Sequence, residues 1–295
     1  MTGFCNGIIT AMITPFTKNG VNFEEFGKMI EFQIAGGTDG LVVLGTTGEP
    51  ATMTEEEKTE TIKYAVKKAA GRIKIIVGTG SNDTKKAVAA TVRAEELGAD
   101  GVLAVTPYYN KCTQKGLYDY YKAICDAVKI PVIAYNVPSR TAVNILPETV
   151  EKLASIPNMA GIKEASGNMA QVCETMRRIR GKIDLFSGED FLNLPMLAIG
   201  GAGLISVTSN IAPELVKKMY NLVKENRLEE ANAVQDFLLP LEDACFLEVN
   251  PIPIKAAYNM IGFNAGVPRS PLTELEPRNK EILLGEIKKA GLKGI

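Results

Sequence analysis

A lysine at the end of a short apolar run is the residue of this sequence best suited to covalent chemistry. Lys163 closes the run Ala160–Lys163, although lysine is depleted in β-strands. A lysine withdrawn from water loses its proton more readily, and the neutral amine can condense with a ketone to form a Schiff base. The residues alone leave one alternative, a structural lysine that extends to solvent or pairs with Glu164.

Three other candidate groups also follow apolar runs. Tyr135 closes Val132–Tyr135, and its hydroxyl could carry protons or could mark a core aromatic at the rim. The segment Gly45-Thr46-Thr47-Gly48 could present N–H groups and hydroxyls to an anion, or could form a plain turn. Arg140 could hold a carboxylate through two parallel hydrogen bonds, or could form a surface ion pair.

The composition restricts the chemistry and the partners. Histidine is absent, which excludes Ser-His-Asp and Cys-His pairs, histidine metal ligands and histidine bases. The formal net charge is −1, so no bulk attraction to nucleic acid or anionic membrane is expected. The five cysteines are scattered without a C-x-x-C pair, which favours a reducing cytoplasm over a disulfide framework or a zinc site. The start lacks a signal-peptide pattern, and the longest apolar run, Leu194–Val207, is too short to span a membrane.

The elements that position these residues are predicted from eight near-continuous apolar runs bounded by turn residues. Such runs are typical of strands covered on both faces. The predicted strands are Ile8–Ile13, Leu41–Leu44, Ile73–Val77, Gly101–Val105, Val132–Tyr135, Ala160–Lys163, Ile183–Phe186 and Gly203–Val207.

Segments with helical spacing lie between these runs. One begins with Thr54 followed by Glu57 three residues later, which is the pattern of a capping box. The predicted helices are Thr54–Ala70, Thr84–Leu97, Lys115–Val128, Pro147–Ile156 and Asn168–Ile179. Alternating strands and helices of this number predict an α/β protein, a (β/α)₈ TIM barrel, whose chemistry lies at the C-terminal ends of the strands.

The last part of the sequence changes character and predicts helices only. We expect residues 1–224 to form the catalytic barrel and residues 225–295 to form a C-terminal helical region. The predicted helices of that region are Leu228–Leu239, Pro253–Ile261 and Pro277–Lys289.

Taken together, the loop sequences resemble the 4-hydroxy-tetrahydrodipicolinate synthase family within the pyruvate-dependent Schiff-base aldolases and lyases. The resemblance extends over nearly the whole chain, and TPYYN with YNVPSRT is its most specific part. The matching stretches are GTTGE (45–49), GTGSN (78–82), TPYYNK (106–111), YNVPSRT (135–141), GIKEASGN (161–168), SGED (187–190) and GLISVTSN (203–210). One departure is Ala142, where relatives usually have glycine.

The resemblance implies catalytic roles. Lys163 would form the Schiff base with pyruvate, and Tyr135 would donate and accept protons. Thr46 and Tyr109 would complete a relay of hydroxyl groups with Tyr135, and Tyr109 would come from the neighbouring subunit. No histidine is needed for such a relay.

The resemblance also implies how the substrates are bound. Thr47 would bind the pyruvate carboxylate, Ile205 would contact pyruvate through its backbone, and Gly188 would belong to the same site. Arg140 would hold the carboxylate of the second substrate. No metal and no organic cofactor would be required, because the lysine performs the activation.

The implied reaction is the condensation of pyruvate with L-aspartate 4-semialdehyde, the first committed step towards diaminopimelate and L-lysine. The implied assembly is a homo-oligomer: a dimer that shares Tyr109, and from it a tetramer. The closest alternative is an aldolase for a 2-keto-3-deoxy sugar acid or an N-acetylneuraminate lyase, which would share Lys163 and Tyr135. A non-catalytic small-molecule sensor and a nicotinamide oxidoreductase are disfavoured, the latter because no glycine fingerprint opens a helix.

Regulation differs among the proteins that this sequence resembles. Those inhibited by L-lysine place a glutamate in a cleft at the dimer interface, where it can accept the ammonium group of the inhibitor. The matching positions here are Glu55, Lys58 and Lys86, and Lys86 stands in place of that glutamate. The sequence therefore predicts weak or absent inhibition by L-lysine.

Overall fold

A closed barrel of parallel strands forms the centre of the protein. The computed structural model describes residues 3–292. The barrel strands are Gly7–Ala11 (β1), Gly40–Val43 (β4), Lys74–Gly78 (β5), Gly101–Val105 (β6), Val132–Asn136 (β7), Met159–Glu164 (β8), Asp184–Ser187 (β9) and Gly203–Ser206 (β10). A small antiparallel pair, Phe16–Thr17 (β2) with Gly20–Val21 (β3), lies outside the barrel.

The strand order confirms the predicted (β/α)₈ barrel. Each strand from β4 to β9 pairs in parallel with the next strand along the chain, and β1 pairs with both β10 and β4, which closes the ring. Every predicted apolar run overlaps one barrel strand and differs from it by a residue or two at the ends.

Helices surround the barrel and continue beyond it. The α-helices are Phe23–Ala35 (α1), Glu55–Ala69 (α2), Thr84–Glu96 (α3), Gln114–Ala127 (α4), Pro138–Thr141 (α5), Pro147–Leu153 (α6), Met169–Ile179 (α7), Asn193–Ala198 (α8), Pro213–Lys224 (α9), Leu228–Cys245 (α10), Ile252–Met260 (α11) and Pro277–Lys289 (α12). Helices α1, α5, α8 and α9 have no counterpart among the predicted helices. Two of them carry start signals that the prediction missed: Asn22 caps α1, and Pro213 occupies the first position of α9.

The start of α2 confirms the predicted capping box. The Thr54 hydroxyl accepts a hydrogen bond from the Glu57 N–H at 3.1 Å, and the Thr54 N–H donates to the Glu57 carboxylate at 3.0 Å. Two N–H groups that the first helical turn leaves free are thereby satisfied.

Two apolar layers enclose the strands. Along β7, Val132 and Ala134 belong to the layer between strands and helices, whereas Ile133 and Tyr135 belong to the interior of the barrel. Side chains alternate in this way because successive residues of a strand point to opposite faces. The alternation directs Tyr135 into the barrel.

The C-terminal helices depart from the prediction at one point. Helix α10 was expected to end at Leu239, before Pro240, but it continues through the proline to Cys245. The prediction of that helix end is wrong because Leu238, Leu241 and Ala244 bury the same helix face, and this packing offsets the hydrogen bond that Pro240 cannot form. Among residues 3–292, no helix is long and apolar enough to cross a membrane.

A buried glutamate on α10 is held in an environment that favours its protonated form. Burial raises the pKa of Glu242 to about 9, and the nearby Asp190 adds to the effect. Gln235 donates a hydrogen bond to one Glu242 carboxyl oxygen at 2.8 Å, while the other oxygen and the Gln235 amide oxygen have no partner in the structure.

We expect Glu242→Gln to flatten the pH dependence of unfolding. The folded protein keeps the proton between the unfolded pKa of about 4.3 and the folded pKa of about 9, so the free energy of unfolding falls as pH rises through this window. The slope is at most ~1.4 kcal/mol per pH unit. Urea unfolding at pH 6 and pH 9 measures it, with the exposed Glu229→Gln as the matched control. Parallel profiles for wild type and Glu242→Gln would refute the assignment.

Candidate active site

Lys163 and Tyr135 face each other at the C-terminal end of the barrel. They are register partners on the neighbouring strands β8 and β7. The Lys163 Nζ lies 4.3 Å from the centroid of the Tyr135 ring, and the two residues are 5% and 8% exposed. The strand pairing brings an amine and a phenol together in the barrel interior.

The structure excludes Glu164 as the partner of Lys163. The Glu164 carboxylate is buried on the opposite face of β8, where it accepts hydrogen bonds from Asn136 at 3.0 Å and from the Ser166 N–H at 2.8 Å. Burial raises the pKa of Glu164, and these donors oppose that shift. No residue in the described part of the chain forms an ion pair or hydrogen bond with Lys163 Nζ. The amine is therefore free to react.

The predicted anion-binding segment forms a tight turn beside Lys163. Residues Thr46–Gly48 form a single 3₁₀ turn. The N–H groups of Gly48 and Glu49 close this turn on the carbonyls of Gly45 and Thr46, at 2.9 and 3.2 Å. The N–H groups of Thr46 and Thr47 donate no hydrogen bond to any backbone carbonyl within residues 3–292. Both threonines line a cavity together with Lys163 and Tyr135.

Asn250, from the C-terminal helical region, connects two of the predicted binding residues. Its side-chain amide donates to the Thr47 hydroxyl at 2.9 Å, and its backbone carbonyl accepts from the Arg140 guanidinium at 3.2 Å. Arg140 lines the cavity and forms no ion pair with any described residue. Its guanidinium can therefore receive a carboxylate, and the described residues hold no carboxylate that occupies it.

The loop that carries Arg140 explains the departure at position 142. Ala142 has φ 55° and ψ 21°, a left-handed conformation that favours glycine. Its N–H donates to the Pro138 carbonyl at 2.8 Å and ends the short helix α5. Alanine thus adopts here a conformation that glycine reaches at lower cost.

Gly188 lies against the Lys163 side chain. Its N–H donates to the Glu164 carbonyl at 2.8 Å, which fixes it beside β8. A Cβ atom added at Gly188 would lie 2.8 Å from Lys163 Cε and 2.8 Å from Ala165 Cβ. A glycine is therefore required here for the lysine to occupy its position.

We expect Gly188→Ala to slow Schiff-base formation by roughly tenfold to a hundredfold, because the lysine must move away from its reacting position. The rate of borohydride-trapped pyruvate adduct, followed by mass, measures this effect. Gly285→Ala is the matched control, since an added Cβ there meets no atom within 4 Å. A wild-type trapping rate in Gly188→Ala would contradict the steric argument.

Two predicted site residues lie outside the cavity lining. Ile205 is buried in the same interior cluster as Tyr135 and is 1% exposed. Tyr109 is 92% exposed on the surface of its own chain, with φ 69°. The other predicted residues, Lys163, Tyr135, Thr46, Thr47, Arg140 and Gly188, are brought together around one cavity.

The cavity of about 190 Å³ has lining residues that the sequence did not reveal. Glu189 lies at its wall; burial raises the pKa of Glu189, and the charge of Lys163 opposes the shift. Asn250 and Phe246 come from the C-terminal region. The sequence marks Asn250 only as a polar residue shortly before two prolines. No local pattern indicates that it contacts the loop of Thr47, some two hundred residues earlier. Within the described residues, no group of three or more Cys, Asp or Glu side chains could hold a metal ion.

Comparison with known proteins agrees with this geometry. The model of the Dihydrodipicolinate synthetase family matches residues 4–290. The chain is 50% identical over 274 residues to 4-hydroxy-tetrahydrodipicolinate synthase of Caldicellulosiruptor bescii, which covers 92% of each chain.

Solved structures give the same assignment. Dihydrodipicolinate synthase from Aquifex aeolicus superposes with a TM-score of 0.95 at 45% identity, covering 97% of this chain and 98% of that one. A structure described as the first monomeric dihydrodipicolinate synthase variant has a TM-score of 0.96 at 39% identity, covering 98% of each chain. With its predicted loops gathered around one lysine, the chain belongs to the dihydrodipicolinate synthetase family.

Proposed function

We propose that this enzyme condenses pyruvate with L-aspartate 4-semialdehyde to give 4-hydroxy-tetrahydrodipicolinate. One observation supports this function above all: a buried lysine without an ionic partner, whose Nζ lies 4.3 Å from a tyrosine ring at the wall of a small cavity. Such an amine is suited to form an imine with a keto acid.

The first half of the reaction activates pyruvate. The Lys163 amine attacks the ketone carbon, and the resulting carbinolamine loses water to give an iminium. The positive nitrogen withdraws electrons, so the methyl group of pyruvate loses a proton and an enamine forms. Tyr135 is placed to carry these protons, because its ring lies beside the amine.

The second half forms the carbon–carbon bond and releases the product. The enamine carbon attacks the aldehyde of the second substrate, and a proton adds to the new alkoxide. The amino group of that substrate then attacks the iminium carbon, displaces Lys163 and closes a six-membered ring. The lysine returns to its starting form.

The binding roles divide between two sets of groups. The free N–H groups and hydroxyls of Thr46 and Thr47 suit the pyruvate carboxylate, and Thr46 also serves the proton relay. Arg140, at the exposed side of the cavity, suits the carboxylate of the second substrate. Ile205 supplies a backbone contact below pyruvate, and Gly188 provides space for the lysine.

The same proposal includes the assembly and its compartment. Tyr109 is exposed on its own chain, so we assign its relay function to the site of a neighbouring subunit in a homodimer. The tetramer is a pair of such dimers.

The proposal also divides the chain into two regions. Residues 1–224 form the catalytic unit, and residues 225–295 form the region that supports it. Five free cysteines support a cytoplasmic protein.

Substrate turnover and adduct trapping test the function. The enzyme should consume pyruvate only together with aspartate semialdehyde, and should not cleave 2-keto-3-deoxy sugar acids or N-acetylneuraminate. Borohydride with pyruvate should add one reduced adduct per chain, detected by mass. Cleavage of a sugar acid with no turnover of aspartate semialdehyde would refute the proposal.

Inhibition by L-lysine should be weak or absent. In the structure the Glu55 carboxylate is already paired with Lys58 at 2.8 Å and with Arg93, so it would have to leave both cations to replace the missing glutamate. Lys86 is exposed on α3 and adds a further positive charge. Two like charges ~4 Å apart cost about 1 kcal/mol in water and about 4 kcal/mol at an intermediate dielectric. Loss of the favourable glutamate–ammonium pair adds to either cost, so binding should weaken by roughly tenfold or more.

An inhibition curve measures this effect directly. A midpoint below about 1 mM L-lysine would contradict the prediction. If the wild type is insensitive, Lys86→Glu should increase sensitivity to L-lysine, while the exposed Lys85→Glu on the same helix should leave it unchanged.

A further inference from the structure

A fully buried ion pair lies directly behind the turn that carries Thr46 and Thr47. Lys255 Nζ and a Glu49 carboxylate oxygen are 2.6 Å apart, and the two side chains are 0% and 2% exposed. The ammonium also lies 4.1 Å from the centroid of the Phe16 ring. Lys255 belongs to α11 in the C-terminal region, whereas Glu49 is the residue that ends the turn.

The second oxygen of Glu49 is also held. It accepts a hydrogen bond from the backbone N–H of Arg269 at 2.8 Å. The guanidinium of the same arginine pairs with Glu57, at the start of α2, at 2.5 Å. The same guanidinium donates to the Thr52 carbonyl at 3.0 Å. Glu49 is therefore fixed by two segments of the C-terminal region, and one of them is also bound to the helix after the turn.

Stability alone does not account for this arrangement. Removing two charges from water is costly, and apolar residues of similar volume often serve a core equally well. Glu49 also has φ 56° and ψ 40°, a left-handed conformation that is strained for a residue other than glycine. Both features are concentrated at the residue whose N–H closes the turn on the Thr46 carbonyl at 3.2 Å.

We propose that Glu49 and Lys255 are positioning residues for the pyruvate-binding turn. Neither lines the cavity, so they act through Thr46 and Thr47: the ion pair holds Glu49, and Glu49 holds the orientation of the threonine N–H groups and hydroxyls. This inference rests on the proposed function, in which that turn receives the carboxylate of pyruvate. It gives the C-terminal region a direct part in substrate binding.

Steady-state kinetics of Lys255→Met and Glu49→Gln test the proposal. Each should raise the KM for pyruvate about tenfold while the KM for aspartate semialdehyde changes less than about threefold, because the turn binds only one substrate. A smaller fall in kcat is expected, since Thr46 of the same turn also serves the proton relay. Glu49→Gln retains the shape of the side chain and keeps the test valid if Lys255→Met does not fold. Lys217→Met is the matched control: it removes a lysine 2.6 Å from Asp39 at the opposite end of the barrel and should leave every KM unchanged.

Thr47→Val separates failure of this inference from failure of the proposed function. If Thr47→Val does not change the KM for pyruvate, the binding role of the turn is wrong. If it raises that KM while Lys255→Met and Glu49→Gln do not, the positioning role is overturned. Equal losses for both substrates would also overturn it, since they indicate general disturbance. In Thr47→Val, adding Lys255→Met should cause little further increase, because both changes act on the same contact.

Discussion

Lys163→Ala should form no borohydride-stable adduct with pyruvate and should lose about 10⁴-fold or more in kcat/KM, the scale observed when a covalent nucleophile is removed. The structure supports this magnitude because Lys163 is an interior amine, 5% exposed, with no ion pair among the described residues. Mass analysis of the trapped protein, followed by peptide mapping, should place the wild-type adduct on the peptide that contains Lys163.

Lys163→Arg should be equally inactive, because a guanidinium stays protonated and cannot form the imine. This variant keeps the positive charge and so separates nucleophilic from electrostatic roles. Lys255 is the strongest competing amine, since burial lowers its pKa to about 8 although Glu49 opposes the shift. Its side chain is fully enclosed and bound to Glu49, which prevents it from reaching pyruvate. An adduct mapped to Lys255 or Lys111 would overturn the assignment.

Tyr109→Phe should lower kcat by about a thousandfold, within the range for removal of a proton-transfer group. The expected cause is loss of the hydroxyl that connects Tyr135 of a neighbouring subunit to bulk water. The 92% exposure of the Tyr109 side chain on its own chain fits a residue that acts across an interface. Tyr118→Phe, which removes a hydroxyl from α4, should retain normal activity.

Mixing Tyr109→Phe with Lys163→Ala should restore activity if the site is shared. In a hybrid dimer one site combines the intact Lys163 of one chain with the intact Tyr109 of the other. Random exchange makes half of the dimers hybrid, each with one intact site, so recovery should approach about a quarter of wild-type activity. Absence of recovery after exchange, verified by native mass spectrometry of differently tagged chains, would exclude a shared site.

The barrel and its central lysine could be predicted from local patterns. Strands covered on both faces are near-continuous apolar runs, so each of the eight could be located within a residue or two. Lys163 became a candidate because a charged side chain at the end of such a run is exceptional, and the family resemblance then favoured a Schiff-base lysine over a structural one. The capping box at Thr54 and Glu57 was equally readable, because it depends on residues three apart in one helix.

Local patterns were less informative where packing overrides propensity. Pro240 predicts a helix end, yet α10 continues because the apolar face on both sides of the proline is buried. Packing also overrides the backbone preference of Ala142. The end of α5 requires a left-handed conformation, and alanine adopts it although glycine would do so at lower cost.

The sequence by itself determined the fold class, and it predicted the candidate nucleophile and the loops that surround it, since all of these are expressed in short segments. Only the tertiary structure decided which side chains meet. It brought Asn250 to Thr47 and Lys255 to Glu49, pairs separated by 203 and 206 residues. It also placed Gly188 against Lys163 Cε. Contacts of this kind follow from the order of strands in the closed barrel and from the docking of the C-terminal helices, and no spacing within one segment encodes them.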